Sequence, residues 1–238
     1  MSRAPWLFIE DLPQVDETAV LPADEGRHGG RAHRLRPGDT LTLTDGRGQT
    51  ARAELLQADR REALVRILAV SEPADPPHPI QLVAAVPKGE RMGTLLAMAT
   101  QLGMSDFTPL ECERSVVHPS EEPPERWERI LRENIKQSHQ AWLPNLSPPA
   151  TPQTWRPETD DTQVWILDPE AQQSLGEVTL EAERPQALLI GPEGGFTSAE
   201  QNAAERVGAR AVALGNSILR IETAAIAALS VLRVRLGS

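Results

Sequence analysis

Residues 186–232 read QALLIGPEGGFTSAEQNAAERVGARAVALGNSILRIETAAIAALSVL. Ala187–Ile190 is a short apolar run that stops at Gly191, the pattern of a buried parallel strand. Gly191–Gly195 follows as Gly-Pro-Glu-Gly-Gly, a turn whose three glycines tolerate a left-handed backbone and leave no Cβ beside a ligand. Thr197 with Glu200 three positions on is a capping box, which predicts a helix over 198–207 stopped by Gly208. Ala211–Leu214 predicts a second strand, running into Gly215 and the loop Asn216–Ile221. From Glu222 the chain is rich in Ala, Leu, Ile and Val and suits a packed helix. Two strand ends, each followed by a glycine loop, can form the floor and wall of a small-ligand site. An ordinary βαβα unit whose glycines serve only the turns fits the same spacing.

Outward from this segment, composition bounds the possibilities. A chain of 238 residues suits one large domain or two modest ones, either with a substantial core. No apolar run reaches the roughly 18 residues of a membrane-spanning helix. The N-terminus, MSRAPWLFIEDLPQVDE, is too acidic and too short in its apolar stretch for a signal peptide. A single cysteine, Cys112, excludes an internal disulfide and a cysteine-based zinc site, and it fits a reducing cytoplasm. The histidines at 28, 33, 78, 118 and 139 form neither HxxxH nor HExxH, so no metal is expected. The net charge of −10 argues against indiscriminate coating of nucleic acid. Between Arg27 and Arg66, however, nine arginines face five acids, a local +4 that leaves −14 on the remainder. Such a segment is a footprint for a phosphate backbone, or a solvated β surface that favours arginine.

The first part of the chain reads as β-rich. Trp6–Ile9 is a strand candidate, Thr40–Thr44 alternates with period two, and Asp45-Gly46-Arg47-Gly48 supplies a hairpin turn. Gln49–Leu56 and Ala63–Val70 continue as strands, which together suggest a small barrel or sandwich over 1–70. Ser71–Pro79 holds four prolines in nine residues and reads as a linker. Residues 80–238 then alternate strands (Ile80–Val86, Phe107–Leu110, Val164–Leu167) with helices (Met92–Leu102, Trp127–Gln140), the signature of an α/β domain with a mainly parallel sheet. The Pro- and Thr-rich stretch 143–162 reads as an extended surface connection. No GxGxxG follows a strand, Gly191–Thr197 lacks the lysine of a P-loop, and no GxSxG elbow is present. The surroundings of Gly191–Gly195 suit a ligand with an aromatic ring and amino-acid functions better than a polyphosphate.

GPEGGF (Gly191–Phe196) and LGNSILRIETAAIAAL (Leu214–Leu229) resemble the paired C-terminal motifs of the bacterial small-subunit (16S) rRNA uridine-N3 methyltransferases. These are S-adenosylmethionine (SAM) enzymes of the SPOUT superfamily. His28, Arg34-Leu35-Arg36, Gly38-Asp39 and Asp45–Gly48 resemble that family's N-terminal PUA-like barrel. Pro87-Lys88-Gly89, Gln101-Leu102-Gly103, Pro109, Glu113-Arg114-Ser115 and Gln137-Ser138 resemble its middle motifs. The chain departs from the family pattern at Gln101, Lys136 and Gln140, away from both C-terminal motifs.

The resemblance implies a PUA-like RNA-binding β-barrel over 1–70, a linker over 71–79, and a SPOUT domain over 80–238 with a deep C-terminal trefoil knot. It implies SAM held by Leu189, Ile190, Gly191, Pro192, Glu193, Gly194, Gly195, Leu214, Gly215, Ile218, Leu219, Thr223 and Ala224. It also implies a homodimer through the C-terminal domain. Methylating uracil N3 removes a proton and builds negative charge on the uracil oxygens, which an always-protonated planar guanidinium stabilises. Arg220 is the candidate for that role, with Glu193 and Glu222 as candidates for orienting the arginine or the base. Arg31, Arg34, Arg36, Lys88 and Arg114 are the candidates for RNA phosphates. A SPOUT enzyme acting on tRNA or large-subunit rRNA is one alternative, and a non-catalytic RNA-binding or assembly factor is another.

Overall fold

The computed structural model describes residues 4–22, 35–58 and 62–237. The chain divides into two compact units, one made of Met1–Pro76 with Arg132–Leu143, the other of Pro77–Leu131 with Pro144–Ser238.

The first unit carries five strands: β1 (Trp6–Phe8), β2 (Thr18–Leu21), β3 (Thr40–Thr44), β4 (Thr50–Ala58) and β5 (Ala63–Val70). They form one sheet in the order β1-β3-β4-β5-β2, with β1 parallel to β3 and the other pairs antiparallel. Period-two alternation points Leu41 and Leu43, Ala51, Ala53 and Leu55, and Ala63, Val65 and Ile67 to one face. With Leu7 and Leu21 these residues make the unit's core. At the β3–β4 turn a Cβ on Gly48 would fall 2.5 Å from the Trp142 ring, so only glycine admits that ring. The segment 132–143 is held there further by Gly48 N–H to Ala141 O (2.9 Å), Leu143 N–H to Gly46 O (2.8 Å), and Trp6 stacked on His139 with ring centres 5.2 Å apart. Nothing in the linear pattern announces this return of a distant segment. The proline-rich stretch begins tied to the same turn, through Ala74 N–H to Gly48 O and Trp142 Nε1–H to Ala74 O.

The second unit contains β6 (Ile80–Ala85), α1 (Arg91–Gln101), β7 (Asp106–Leu110), the start of α2 (Glu125–Ser138), β8 (Asn145–Leu146), β9 (Gln163–Leu167), β10 (Gln186–Ile190), α3 (Ser198–Glu205), β11 (Arg210–Val212) and α4 (Ile221–Leu236). Its sheet has the order β11-β9-β10-β6-β7-β8, with every neighbouring pair parallel. A parallel sheet must be covered on both faces, and β10 is accordingly buried at all five positions. The α/β class with a mainly parallel sheet read from the sequence is the architecture observed.

Two expectations shift. The stretch 143–162 is more than a surface connection: β8 adds the edge strand beside β7, and Trp155, 4% exposed, joins the core with Val83, Leu110, Val164 and Leu189. One tryptophan among prolines and threonines supplies the apolar area that anchors the run. The last strand ends at Val212 rather than Leu214, because Ala213 N–H turns to Gln173 O (2.9 Å) and leaves the sheet.

Two polar devices fix the unit internally. Trp165 Nε1–H donates to Gln186 Oε1 (2.8 Å), and Gln186 Nε2–H donates to Gln163 Oε1 (3.0 Å), a buried chain joining β9 to β10. Arg233, 8% exposed on α4, donates to Leu102 O (2.8 Å), His78 O (2.9 Å) and Gly103 O. That guanidinium ties the last helix to the turn after α1 and to the residues leading into β6.

Candidate functional site

β9, β10 and β11 are neighbours in the order β11-β9-β10, so their carboxyl ends open side by side. The chain also changes direction here: β9 is followed by β10 on one side of it, and β10 is followed by β11 on the other side of β9. Ligands bind at such switch points because adjacent loops leave the sheet in opposite directions and expose a crevice between them. The crevice holds about 660 Å³ of atom-free space, part of it open to solvent.

The three strand ends and the start of α4 supply its walls. Val212, Leu214, Ile218, Leu219, Ile221 and Ala224 make an apolar side; Ile190 to Glu193 with Gly195 and Phe196 form another; Leu167, Asp168 and Pro169 close the third, and Ser217 lies on the rim. Ile218 is 88% exposed, an apolar side chain standing at the mouth.

Of the residues expected at a cofactor, Ile190, Gly191, Pro192, Glu193, Gly195, Leu214, Gly215, Ile218, Leu219 and Ala224 line the crevice. Leu189, Gly194 and Thr223 do not. Leu189 is fully buried in the core beneath, Thr223 faces solvent, and the space a Gly194 Cβ would occupy is taken by the Arg114 side chain at 3.2 Å. The glycines differ in purpose. Gly215 has φ +114° and Gly195 φ +70°, backbone that L side chains rarely adopt, and both face open space. Gly191 serves packing: a Cβ there would meet the Phe196 ring at 2.9 Å.

The Gly-Pro-Glu-Gly-Gly loop is braced from the loop after β7. Arg114 Nη1–H donates to Gly194 O (2.8 Å), and Glu113 N–H donates to Glu200 Oε1 (2.7 Å). The other oxygen of Glu200, a side chain only 3% exposed, accepts from Thr197 N–H (2.7 Å) and Thr197 Oγ1–H (3.1 Å), completing the capping box of α3. One carboxylate therefore caps the helix and holds the neighbouring loop. Burial, reinforced by the carboxylates of Glu200 and Glu111, pushes the Cys112 thiol up to about 12 and leaves it inert.

The three candidate catalytic residues are placed differently. Arg220 is the N-cap of α4 in extended conformation (φ −70°, ψ 158°); its side chain is exposed and among the described residues has no hydrogen bond or ion pair. Glu193 lines the crevice and pairs with Arg91 Nη1 at 3.6 Å. Glu222 does not line it. Ile221 and Ala224 face the crevice, whereas Glu222 shares the helical stripe of Leu229 and Arg233, and its Oε2 is buried without a hydrogen bond among the described residues. Of the candidate phosphate contacts, Arg31 and Arg34 lie outside the described residues. Arg36 is exposed beside the turn at Pro37–Asp39, where its N–H donates to Asp39 Oδ2 (2.7 Å). Lys88 and Arg114 are exposed on the loops after β6 and β7. No group of three or more His, Cys, Asp or Glu among the described residues could hold a metal ion.

The sequence reading stops short of Leu167, Asp168, Pro169, Phe196, Val212, Ser217 and Ile221 as site residues. The strand ending at Asp168-Pro169 is legible, but only the sheet order places its end between the two glycine loops.

Comparison with known proteins agrees with this architecture. A family described as RNA methyltransferase domain matches residues 74–233, and one described as RNA methyltransferase PUA domain matches 21–68. The chain is 32% identical over 236 residues to a Mycobacterium tuberculosis protein named Ribosomal RNA small subunit methyltransferase E, covering 95% of this chain and 90% of that one. The Synechocystis protein of the same name is 32% identical, over 94% of this chain and 75% of that one. Among solved structures, a Legionella pneumophila protein in complex with bound SAM superposes with a TM-score of 0.88 at 30% identity, over 98% of both chains. The ribosomal RNA small subunit methyltransferase E of Neisseria gonorrhoeae, bound to S-adenosyl methionine, superposes with a TM-score of 0.86 at 27% identity, again over 98% of both. The chain belongs to the family of the ribosomal RNA small subunit methyltransferase E proteins, with its RNA methyltransferase domain preceded by a PUA domain.

Proposed function

We propose that this protein transfers a methyl group from SAM to N3 of a specific uridine in small-subunit (16S) ribosomal RNA. The observation that carries the reading is the crevice at the carboxyl ends of β9, β10 and β11, within a chain whose relatives carry that small-subunit rRNA name. The crevice fits the cofactor. The wall of Val212, Leu214, Ile218 and Leu219 suits a purine ring, the open space at Gly195 and Gly215 lets a ligand approach the backbone, and Asp168 and Glu193 complement a ligand bearing positive charge.

SAM, when bound, supplies a methyl group on a positively charged sulfur; as the N3–CH3 bond forms the S–CH3 bond breaks, N3 loses its proton, and S-adenosylhomocysteine remains. Arg220, exposed and unpartnered at the head of α4, offers a guanidinium to the developing negative charge on the uracil oxygens. Glu193, held by Arg91, stands at the crevice to orient the base or the arginine. The position of Glu222 favours a role inside the helix packing, and water takes the N3 proton.

The loops of β9, β10 and β11 share one cavity with the start of α4, which supports the deep trefoil knot of the SPOUT superfamily. The N-terminal unit is the RNA-holding barrel, with Arg31, Arg34 and Arg36 on phosphates; Lys88 and Arg114 extend the contact from the catalytic domain. Val234, 82% exposed on α4, and Met98, 43% exposed on α1, leave apolar surface on two helices that pack together, which supports a homodimer through this domain. Incubating the protein with labelled SAM and small subunits stripped of the modification, with isothermal titration of SAM alongside, tests the reading. SAM binding with no methyl incorporation would point instead to a non-catalytic factor.

A further inference from the structure

We infer that Asp168 recognises the ribose of the cofactor, its carboxylate accepting both hydroxyls of the 2′,3′-diol; this rests on the SAM reading above. Asp168 follows the last residue of β9, the strand between β10 and β11, so it stands at the middle of the three strand ends that form the crevice. It is one of two carboxylates on the lining. The other, Glu193, follows β10 and is drawn to Arg91 at the head of α1, the helix that follows β6. Asp168 has no cation.

Its two oxygens are each fixed by one donor. Oδ1 accepts the Glu170 N–H at 2.9 Å, across Pro169, which has no N–H of its own. Oδ2 accepts Gln201 Nε2–H at 3.1 Å, from α3. The main chain is pinned as well, Asp168 N–H donating to Val212 O at 3.0 Å. An ionised carboxylate accepts about four hydrogen bonds, so one acceptor site on each oxygen is left over. Two adjacent acceptors, held rigidly from a strand end and a helix, match a vicinal diol, which presents two hydroxyl donors at a similar spacing. The Asp168 main chain is joined to Val212, part of the apolar wall that suits the purine. The sugar is the group attached directly to that ring, whereas the α-ammonium of the methionine part lies several bonds farther away. Proximity to the purine wall therefore selects the diol.

Titration calorimetry of the full chain with three probes tests this: S-adenosylhomocysteine, its 2′,3′-dideoxy analogue, and 5′-methylthioadenosine, which keeps the ribose and lacks the amino-acid end. Wild-type protein should bind the dideoxy analogue roughly tenfold to a hundredfold more weakly than S-adenosylhomocysteine, the size expected for charge-assisted hydrogen bonds. Asp168→Asn keeps the Oδ1 acceptor, and Gln201 can turn its amide to donate or accept, so the fold should hold. The variant should lose a similar factor on S-adenosylhomocysteine and on 5′-methylthioadenosine, and little on the dideoxy analogue. An equal loss on all three probes would overturn the inference, as would a loss confined to S-adenosylhomocysteine, which would move the carboxylate to the amino-acid end. The wild-type comparison stands even if the variant fails to fold: equal affinity for the first two probes would also overturn it. Failure of the wild type to bind any of the three would instead remove the cofactor reading itself.

Discussion

At Arg220 the backbone is extended, the helix begins one residue later, and the guanidinium has no partner among the described residues. A structural arginine is ordinarily held by carbonyls, as Arg233 is by three; Arg220 is held by none and is available to substrate. Arg220→Ala should lower turnover on small subunits by roughly 10²–10³, the usual effect of removing one donor to a developing oxyanion, while SAM affinity stays within a few-fold. A rate near wild type would remove Arg220 from the reaction. Gly191→Ala tests a packing role of comparable sharpness. The new methyl group must displace the Phe196 ring from 2.9 Å, so the variant should melt earlier and bind SAM more weakly.

His78 carries a pH prediction. Burial holds its imidazole below the ordinary value of 6.5, the hydrogen bond to the Arg184 backbone opposes this, and the Arg233 charge adds to the lowering. The unfolded chain then binds that proton more readily than the folded one. The stability His78 confers is present above its ordinary pKa and declines as pH falls below about 6.5. Thermal melts at pH 7.5 and pH 5.5 should differ less in His78→Gln than in wild type; an equal difference in both would show that other groups set the acid limb.

At the scale of elements, α3 shows how much a local pattern can reveal. Thr197 and Glu200 are three residues apart, and the capping box they announce is present with both of its hydrogen bonds. The second duty of Glu200, holding Glu113 N–H from the loop after β7, was illegible because 87 residues separate the two. Glu200→Ala should therefore cost more than the roughly 1 kcal/mol of a lost cap, since it also leaves a neighbouring backbone donor unpaired. Chemical denaturation that returned a loss below about 1 kcal/mol would show the bridge to be dispensable. The same distinction explains Asp168: that a strand ended there was readable, but its neighbours were set by the order of the sheet. The return of 132–143 to the first unit depends on a tryptophan fitting over Gly48, a match of shapes that spacing cannot encode.

Across the whole molecule, the alternation of strands and helices was enough to read a parallel α/β domain behind a β-rich one, because apolar periodicity and turn glycines are local signals. The family motifs then supplied what periodicity lacks, a cofactor and a substrate. The net charge of −10 with a basic segment at Arg27–Arg66 is consistent with docking at one defined place on a structured particle. If Lys88 meets a phosphate there, Lys88→Glu should weaken binding to the small subunit and flatten its dependence on salt by about one counterion, with SAM affinity unchanged. Equal loss of both affinities would indicate damage to the fold.

The most direct test of the central claim is nucleoside mass analysis of 16S rRNA after purified protein and SAM are incubated with small subunits from a strain lacking the modification. The account predicts the appearance of N3-methyluridine at a single position, formed roughly 10²–10³ more slowly by Arg220→Ala. A ribose-methylated nucleoside, or no new methyl group while SAM binds normally, would contradict it.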